Sequence, residues 1–300
     1  MKVFVTGATG FIGLYVLRAL EEQRYTARCL VRNHGPKGAE IVRGDVMQPA
    51  SFAGKMDGCE AVIHLVGIIE ENPKRGITYE ALHVEATRHV VQEAQRAGVQ
   101  RFVHMSANGA DPGGVSRYQT SKWQAEELVR EAGFKHWTIL RPGLVFGEPM
   151  PGTTEFCTRL VRELIRPMPV IPIFGKGLFK LQPISVEEVA LALVQGVVQD
   201  AVNRSTVVAV GHQALIYKEV LDHIARGAGY DPRPKLQVSL KIWRPMIEKL
   251  APLGILPVSQ DQFNMLIQGN VGDPKPFYDH FDLMPRPFTP ENLAYLRRRA

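Results

Sequence analysis

Tyr118 and Lys122 stand four residues apart in the run Tyr118-Gln119-Thr120-Ser121-Lys122. On a helix, residues at that spacing share one face. A phenol with an unperturbed pKa of about 10 is a poor proton shuttle near neutrality. An adjacent ammonium group favours the phenolate, so Lys122 is expected to lower the pKa of Tyr118. Such a pair can give a proton to a carbonyl oxygen or take one from an alcohol. The spacing alone is common. Its plain alternative is a tyrosine packed on a sheet beside a solvent-facing lysine.

A second constellation lies at the start of the chain. Thr6-Gly7-Ala8-Thr9-Gly10-Phe11-Ile12-Gly13 follows an apolar run and opens a helical pattern. Glycines 7, 10 and 13 permit a tight turn, close approach of backbone to a pyrophosphate, and close packing of helix on strand. The helix N-terminus then faces the negative charge. The expected ligand is a dinucleotide whose nicotinamide carries hydride while Tyr118 moves the proton. Arg32 follows the second apolar run, where an acidic residue would bind a ribose 2′-hydroxyl. Its guanidinium suits a 2′-phosphate, with Lys37 as a helper, which points to NADP, with NAD also open. The alternative for Arg32 is a solvated loop residue. Asp45, followed by Val46, ends the third run. Its carboxylate either accepts from an adenine amino group or simply forms a turn.

These residues need a scaffold that holds them at one edge. Strands are expected at Val3–Thr6, Thr26–Val31, Glu40–Arg43, Ala61–Leu65, Arg101–Met105, Thr138–Leu140 and Thr206–Val210. Helices are expected at Phe11–Gln23, Tyr79–Ala97, Ser121–Ala132 and Val186–Gln199. Apolar strands alternating with helices imply buried parallel strands. Right-handed crossovers then give an α/β fold, a Rossmann-type doubly wound parallel sheet. Prolines crowd residues 149–183 and 232–290, which favours loops and short elements. The expected division is a nucleotide-binding domain of residues 1–145 and 184–227. Residues 146–183 and 228–300 would make a smaller, discontinuous C-terminal lobe.

The charge is mildly positive, 36 Lys and Arg against 30 Asp and Glu, a net +6. Four of those six charges fall within residues 233–249. There Arg233, Lys235, Lys241, Arg244 and Lys249 face only Glu248, and Leu240, Trp243 and Ile247 recur at helical spacing. That segment is the place to look for an acidic protein partner or an anionic membrane surface. Its alternative is a lobe helix whose apolar face covers the active site and whose lysines are solvated. The run Arg297-Arg298-Arg299 reads as helix-terminal charge. No basic groove suggests nucleic acid, and no ligand spacing suggests a metal. Cys29, Cys59 and Cys157 are too few and too far apart for a zinc ribbon, and fit a reducing compartment. The longest apolar stretch, residues 61–69, is interrupted by His64 and is far short of the roughly 20 residues that span a bilayer. The expected location is cytoplasmic, with peripheral membrane attachment through residues 233–249 as a further reading.

Taken together, the glycine turn, the Tyr118/Lys122 pair and Leu140-Arg141-Pro142-Gly143-Leu144-Val145-Phe146-Gly147 resemble the extended and atypical short-chain dehydrogenase/reductase superfamily. His64-Leu65-Val66-Gly67 resembles its fourth strand end, where Leu65, Val66 and Gly67 would line the nicotinamide ribose. Arg101–Ala107, Gln182–Val186, Ser259–Gln262 and Asn270-Val271 are most similar to the nucleotide-binding accessory subunit of respiratory complex I and its bacterial relatives. The resemblance implies catalytic roles for Tyr118 and Lys122. It implies cofactor positions at Gly7, Thr9, Gly10, Phe11, Ile12, Gly13, Asp45, Val46, Pro142 and Val145. Sugar epimerases and dehydratases of the superfamily place a hydroxyl beside the tyrosine. Ser106 is the candidate, although by register that position falls on it or on Ala107. Two functions follow. One is an oxidoreductase or epimerase/dehydratase-type enzyme acting on an unknown small molecule. The other is a non-catalytic nucleotide-binding subunit or assembly factor of a membrane-associated electron-transfer complex.

Overall fold

In a computed structural model, the structure describes residues 1–250 and 259–298. Arg299 of the terminal Arg297-Arg298-Arg299 run therefore lies outside the described residues. The described residues form two compact units. The first comprises Met1–Pro142, Val186–Ala209 and Lys275–Leu283, and the second Gly143–Ser185, Val210–Pro274 and Met284–Ala300.

A seven-stranded sheet organises the first unit. Strands β1 (Lys2–Thr6), β2 (Thr26–Val31), β3 (Glu40–Arg43), β4 (Ala61–His64), β5 (Arg101–Met105) and β6 (His136–Pro142) join a last strand, Ser205–Ala209. Their order is Ser205–Ala209, β6, β5, β4, β1, β2, β3. Every pairing is parallel. Central strands are apolar on both faces: Val3, Phe4 and Val5 of β1 and Ala61, Val62 and Ile63 of β4 are wholly buried. Such strands cannot show polar alternation, because helices cover both faces. Helix α1 (Phe11–Glu22) packs against the helix Val186–Gln195. Helices α2 (Ala86–Arg96) and α3 (Arg117–Glu131) pack on each other. Their Val90, Val91, Ala94 and Val129 share a core with Phe4, Val62, Phe102 and Ile139 of the sheet.

Strand order reverses between β1 and β4, and in such sheets the crevice at a reversal is where ligands bind. The two strand ends are tied there. Thr6 Oγ1 lies 2.6 Å from His64 Nδ1.

Helix boundaries differ from expectation where capping was overlooked. α3 begins at Arg117, four residues before the expected Ser121, because Ser116 caps it by accepting from the Gln119 N–H. A serine followed three residues later by glutamine is a legible start signal. The helix expected over Tyr79–Ala97 is wound in two ways. Glu80–Glu85 is π-helical and Ala86–Arg96 is α-helical.

The second unit has the short elements its prolines demand. Ile171–Phe174 pairs with Lys235–Val238, Val145–Phe146 with Ile184–Ser185, and Lys180–Leu181 with Leu215–Ile216. The compact units depart from the expected division by a few residues at 143–145 and 184–185, which fall in the second unit, and by two longer segments. Residues 210–227 belong to the second unit, because Val220, Leu221, Ile224 and Ala225 of the helix Tyr217–Gly227 are buried in a core with Phe146, Cys157 and Phe174. Residues 275–283 belong to the first. There the helix Lys275–Phe281 packs on Ser205–Ala209, and Tyr278 donates to Glu188 at 2.7 Å.

The basic segment is also built inward. In the helix Leu240–Leu250, Ile247 is buried, Leu240 packs on the second core and Trp243 meets Phe174 at 4.7 Å. Lys235 pairs with Asp222, while Lys241, Arg244 and Lys249 are exposed. The apolar stripe therefore packs inward on the second unit's core, with three of the segment's cations exposed. Leu236 and Ile242 remain exposed, each at 59%. Among the described residues, no helix is long and apolar enough to cross a membrane.

Phe281 tests the place of residues 275–283. It is fully buried, so Phe281→Ala should cost about 3–5 kcal/mol in denaturant unfolding. A loss below about 1 kcal/mol would contradict the packing described.

Candidate functional site

Parallel strands put all their C-terminal ends along one edge, and the expected residues of the first unit gather on that edge. Thr6–Gly13 follows β1, Arg32 follows β2, Asp45 follows β3, Leu65–Gly67 follows β4, Ser106 follows β5, and Pro142 ends β6. Val145 is a residue of the second unit, paired with Ile184.

The glycine turn has the shape a bound pyrophosphate requires. Gly7 has φ +74°, a conformation that L side chains rarely adopt. A Cβ on Gly13 would stand 2.2 Å from the Gly7 carbonyl oxygen, so only glycine lets the helix approach the turn. Gly10 is the N-cap of α1 and offers no side-chain cap, and no acidic residue lies in the first turn. The N–H groups of Phe11, Ile12 and Gly13, in the first turn, have no partner within the helix, and no carboxylate of that turn competes for them. Thr9 and Gly10 are exposed beside them.

Arg32 and Lys37 are exposed. Among the described residues, neither has an ion-pair partner. In register, Arg43 stands opposite Val31, so a further cation ends the neighbouring strand. Asp45 forms a turn: its Oδ1 accepts from the Met47 N–H at 2.9 Å. Val46 is buried in the first unit's core, and its carbonyl accepts from His89 at 2.8 Å.

The Tyr118/Lys122 pair sits on α3. Lys122 is buried, and its ammonium donates to the Met105 carbonyl at 2.7 Å. Burial pulls its pKa down to about 8, opposed by the Glu126 carboxylate one turn further along. Tyr118 is half-buried and makes no hydrogen bond through its hydroxyl to any described residue. Its pKa moves opposite to expectation. Burial pushes it up to about 12, so desolvation outweighs the neighbouring ammonium. At neutral pH the phenol therefore holds its proton.

Ser106 is buried, and among the described residues no hydrogen bond joins it to Tyr118. The serine hydroxyl donates to Glu126 Oε1 at 2.5 Å. Glu126 is wholly buried and takes two bonds from Arg141, each 2.7 Å, and one from Arg130. A buried carboxyl group between two guanidinium groups claims the nearest hydroxyl.

Three histidines went unassigned in the sequence reading. His64 and His104 are in register on β4 and β5, and their rings stack at 5.5 Å. Thr87 Oγ1 donates to the His83 carbonyl at 2.6 Å, so it accepts from His64 Nε2 at 3.1 Å. Burial and Lys122 hold His64 down to about 3, and the same causes, in the same order, hold His104 well below its usual value. Both ring nitrogens of His104 lack a partner among the described residues. His83, on the π-helical turn, touches Tyr118 edge-on at 5.3 Å and stacks on Tyr79 at 5.3 Å. A Cβ on Gly67 would meet His83 Nε2 at 3.5 Å and Lys122 Nζ at 3.6 Å, so loop, imidazole and ammonium adjoin. The sequence carried no signal for His83 beyond a lone histidine in a helical pattern.

A seven-stranded parallel sheet with a glycine turn at its switch point and a Tyr–Lys pair on α3 defines a nicotinamide-dinucleotide-binding protein of the Rossmann type. The chain belongs to the NAD dependent epimerase/dehydratase family, whose model matches residues 3–211. Among curated proteins it is similar to ceramide reductase of Caulobacter vibrioides, 31% identical over 198 residues. That match spans 64% of this chain and 59% of the reductase. It is also similar to the mitochondrial NADH-ubiquinone oxidoreductase 40 kDa subunit of Neurospora crassa, 26% identical over 90% of this chain and 72% of that protein. In fold it matches the UDP-glucose 4-epimerase of Thermotoga maritima, solved with UDP-glucose. There the TM-score is 0.74 at 18% identity, covering 100% of this chain and 98% of that one.

If Ser106 serves the Glu126 network, Ser106→Ala should lower unfolding stability by about 1–3 kcal/mol. Unchanged stability would mean that the hydroxyl is free for other work.

Proposed function

We propose that this chain is an NADP(H)-dependent oxidoreductase or epimerase/dehydratase-type enzyme in which Tyr118 is the proton-transfer group. The observation that carries the reading is the half-buried Tyr118, its hydroxyl unengaged, one helical turn from the buried Lys122 ammonium. The residues fit the cofactor: a Cβ would fill the cradle at Gly7 and Gly13, and the first turn of α1 carries no competing acid. Gly7–Gly13 would hold the pyrophosphate, Arg32 with Lys37 a 2′-phosphate, and Leu65–Gly67 the nicotinamide ribose. The bound nicotinamide supplies hydride transfer.

The chain's own residues supply the rest. With its pKa near 12, Tyr118 enters protonated and can donate to a carbonyl oxygen. As the proton leaves, negative charge grows on the phenol oxygen. The Lys122 ammonium, held by the Met105 carbonyl, opposes that charge in a site with little water. Lys122 is charged below about pH 8 and loses its proton above it. Carbonyl reduction should therefore weaken as pH rises through about 8, while the phenol stays protonated across that range.

A second reading is favoured by the engagement of Ser106 with Glu126, which uses the one proton that hydroxyl could donate to a substrate. It makes the chain a nucleotide-binding subunit or assembly factor, in line with its likeness to the 40 kDa subunit and to NADH dehydrogenase [ubiquinone] 1 alpha subcomplex subunit 9 of Arabidopsis thaliana, 29% identical over 65% of this chain. In that reading Leu236 and Ile242, with the cations around them, would meet a protein partner or an anionic membrane surface.

One experiment separates them. The purified chain is given NADPH and a panel of ketones, aldehydes and nucleotide sugars. Turnover that falls about a hundredfold or more in Tyr118→Phe, and declines above about pH 8 in the wild type, supports the enzyme. No turnover, with NADPH still raising the melting temperature, supports the subunit.

Cofactor choice has its own test. Isothermal titration should favour NADPH over NADH, and Arg32→Ala should remove the preference. Equal affinities in the wild type would overturn the NADP assignment.

A further inference from the structure

His83 occupies a position that a packing role does not explain. Its ring is boxed by Tyr79 and Tyr118, which a phenylalanine could equally satisfy. Yet both of its nitrogens are engaged, and on different segments. Nδ1 lies 2.8 Å from Ser121 Oγ on α3. Nε2 lies 3.1 Å from the Ile68 nitrogen in the loop after β4, with the Ile68 carbonyl 3.0 Å away.

The donors and acceptors can be assigned by exhausting the protons. Ser121 Oγ is 2.9 Å from the Tyr118 carbonyl, which can only accept. The serine's single proton is used there, so His83 Nδ1 must donate to Ser121. A neutral ring then has a bare Nε2, which accepts from the Ile68 N–H. This arrangement makes three bonds. The other tautomer makes two, because Ser121 would turn to the ring and leave the Tyr118 carbonyl while the Ile68 N–H lost its acceptor. A doubly protonated ring would add a second positive charge in a dry site adjoining the Lys122 ammonium.

We infer that His83 is a positioning residue: a neutral imidazole, protonated on Nδ1, that latches the Leu65–Ile68 loop to the first turns of α3 and thereby fixes Tyr118 beside Lys122. The inference rests on the reading that Tyr118 moves the proton. Its consequence is specific. The chain Ile68 N–H, His83, Ser121, Tyr118 carbonyl ties a loop proposed to line the nicotinamide ribose to the backbone of the proton donor itself. Tyr79 reinforces the same loop, its hydroxyl donating to the Ile69 carbonyl at 2.9 Å. Displacing a reacting group by about 1 Å can cost a hundredfold in rate. His83→Phe keeps the aromatic box and breaks the latch from one side. Ser121→Ala breaks it from the other.

The test uses the full chain with NADPH and whichever panel compound it reduces. Each single variant should lower kcat by about tenfold or more, with NADPH affinity changed by less than about threefold. The double variant should be no slower than the slower single, because both break one latch. Additive losses, or single variants within about twofold of wild type while Tyr118→Phe is inactive, would overturn the latch. Full activity of Tyr118→Phe would instead sink the proton-transfer reading. A second measurement stands apart from turnover. Nitrogen-15 histidine spectra of the NADPH-bound chain, with His83→Gln to assign the signal, should show Nδ1 protonated and Nε2 bare from about pH 5 to pH 8. A protonated Nε2, or titration near the ordinary histidine value, would overturn the assignment.

Discussion

Lys122 carries its ammonium out of water on α3, and the rest of the candidate site is arranged around that charge. Its hydrogen bond to the Met105 carbonyl fixes the amine to the end of β5. Glu126, one turn on, favours the charged form and is itself held by Arg130, Arg141 and Ser106. The charge also dictates what its neighbours can be. His64, His83 and His104 are all driven neutral, first by burial and then by Lys122. Neutral imidazoles have one donor and one acceptor each, and this gives the network around His64 and His83 a defined direction.

The nucleotide end rests on a different constraint, closeness of backbone. The carbonyl of Gly7 would stand 2.2 Å from a Cβ at Gly13, and Gly7 itself packs on the backbone of Leu65. The turn after β1 and the loop after β4 are thus in contact across the switch point. The second contact there, Thr6 with His64, joins the same two strand ends by a side chain. A cofactor at this edge would meet a surface already assembled by the sheet rather than one built from loops alone.

Much of this was legible in order of residues. The glycine spacing, the apolar strands and the Tyr118/Lys122 interval each require only local geometry, so the sheet, its helices and the family could be read directly. Local reading failed where burial set the outcome. Tyr118 was expected to acidify and does the reverse, because desolvation depends on atoms far away in sequence. Ser106 was expected at the substrate, yet its hydroxyl donates a hydrogen bond to Glu126, 20 residues on. The apolar stripe at Leu240, Trp243 and Ile247 was open to two readings, a docking face or a lobe helix packed inward, and it packs inward on Phe174, 69 residues before Trp243.

By itself, then, the sequence determined the periodicities and the turn: which segments are strands and helices, which turn can approach a phosphate, and which tyrosine has a lysine one helical turn away. Those properties depend on backbone sterics and on neighbours within four residues. Only the tertiary structure decided the protonation of Tyr118 and Lys122, the direction of the histidine bonds, the partner of Ser106, and the unit to which residues 210–227 and 275–283 belong. Each of those depends on desolvation or on contacts between distant segments, and neither quantity exists until the chain is folded.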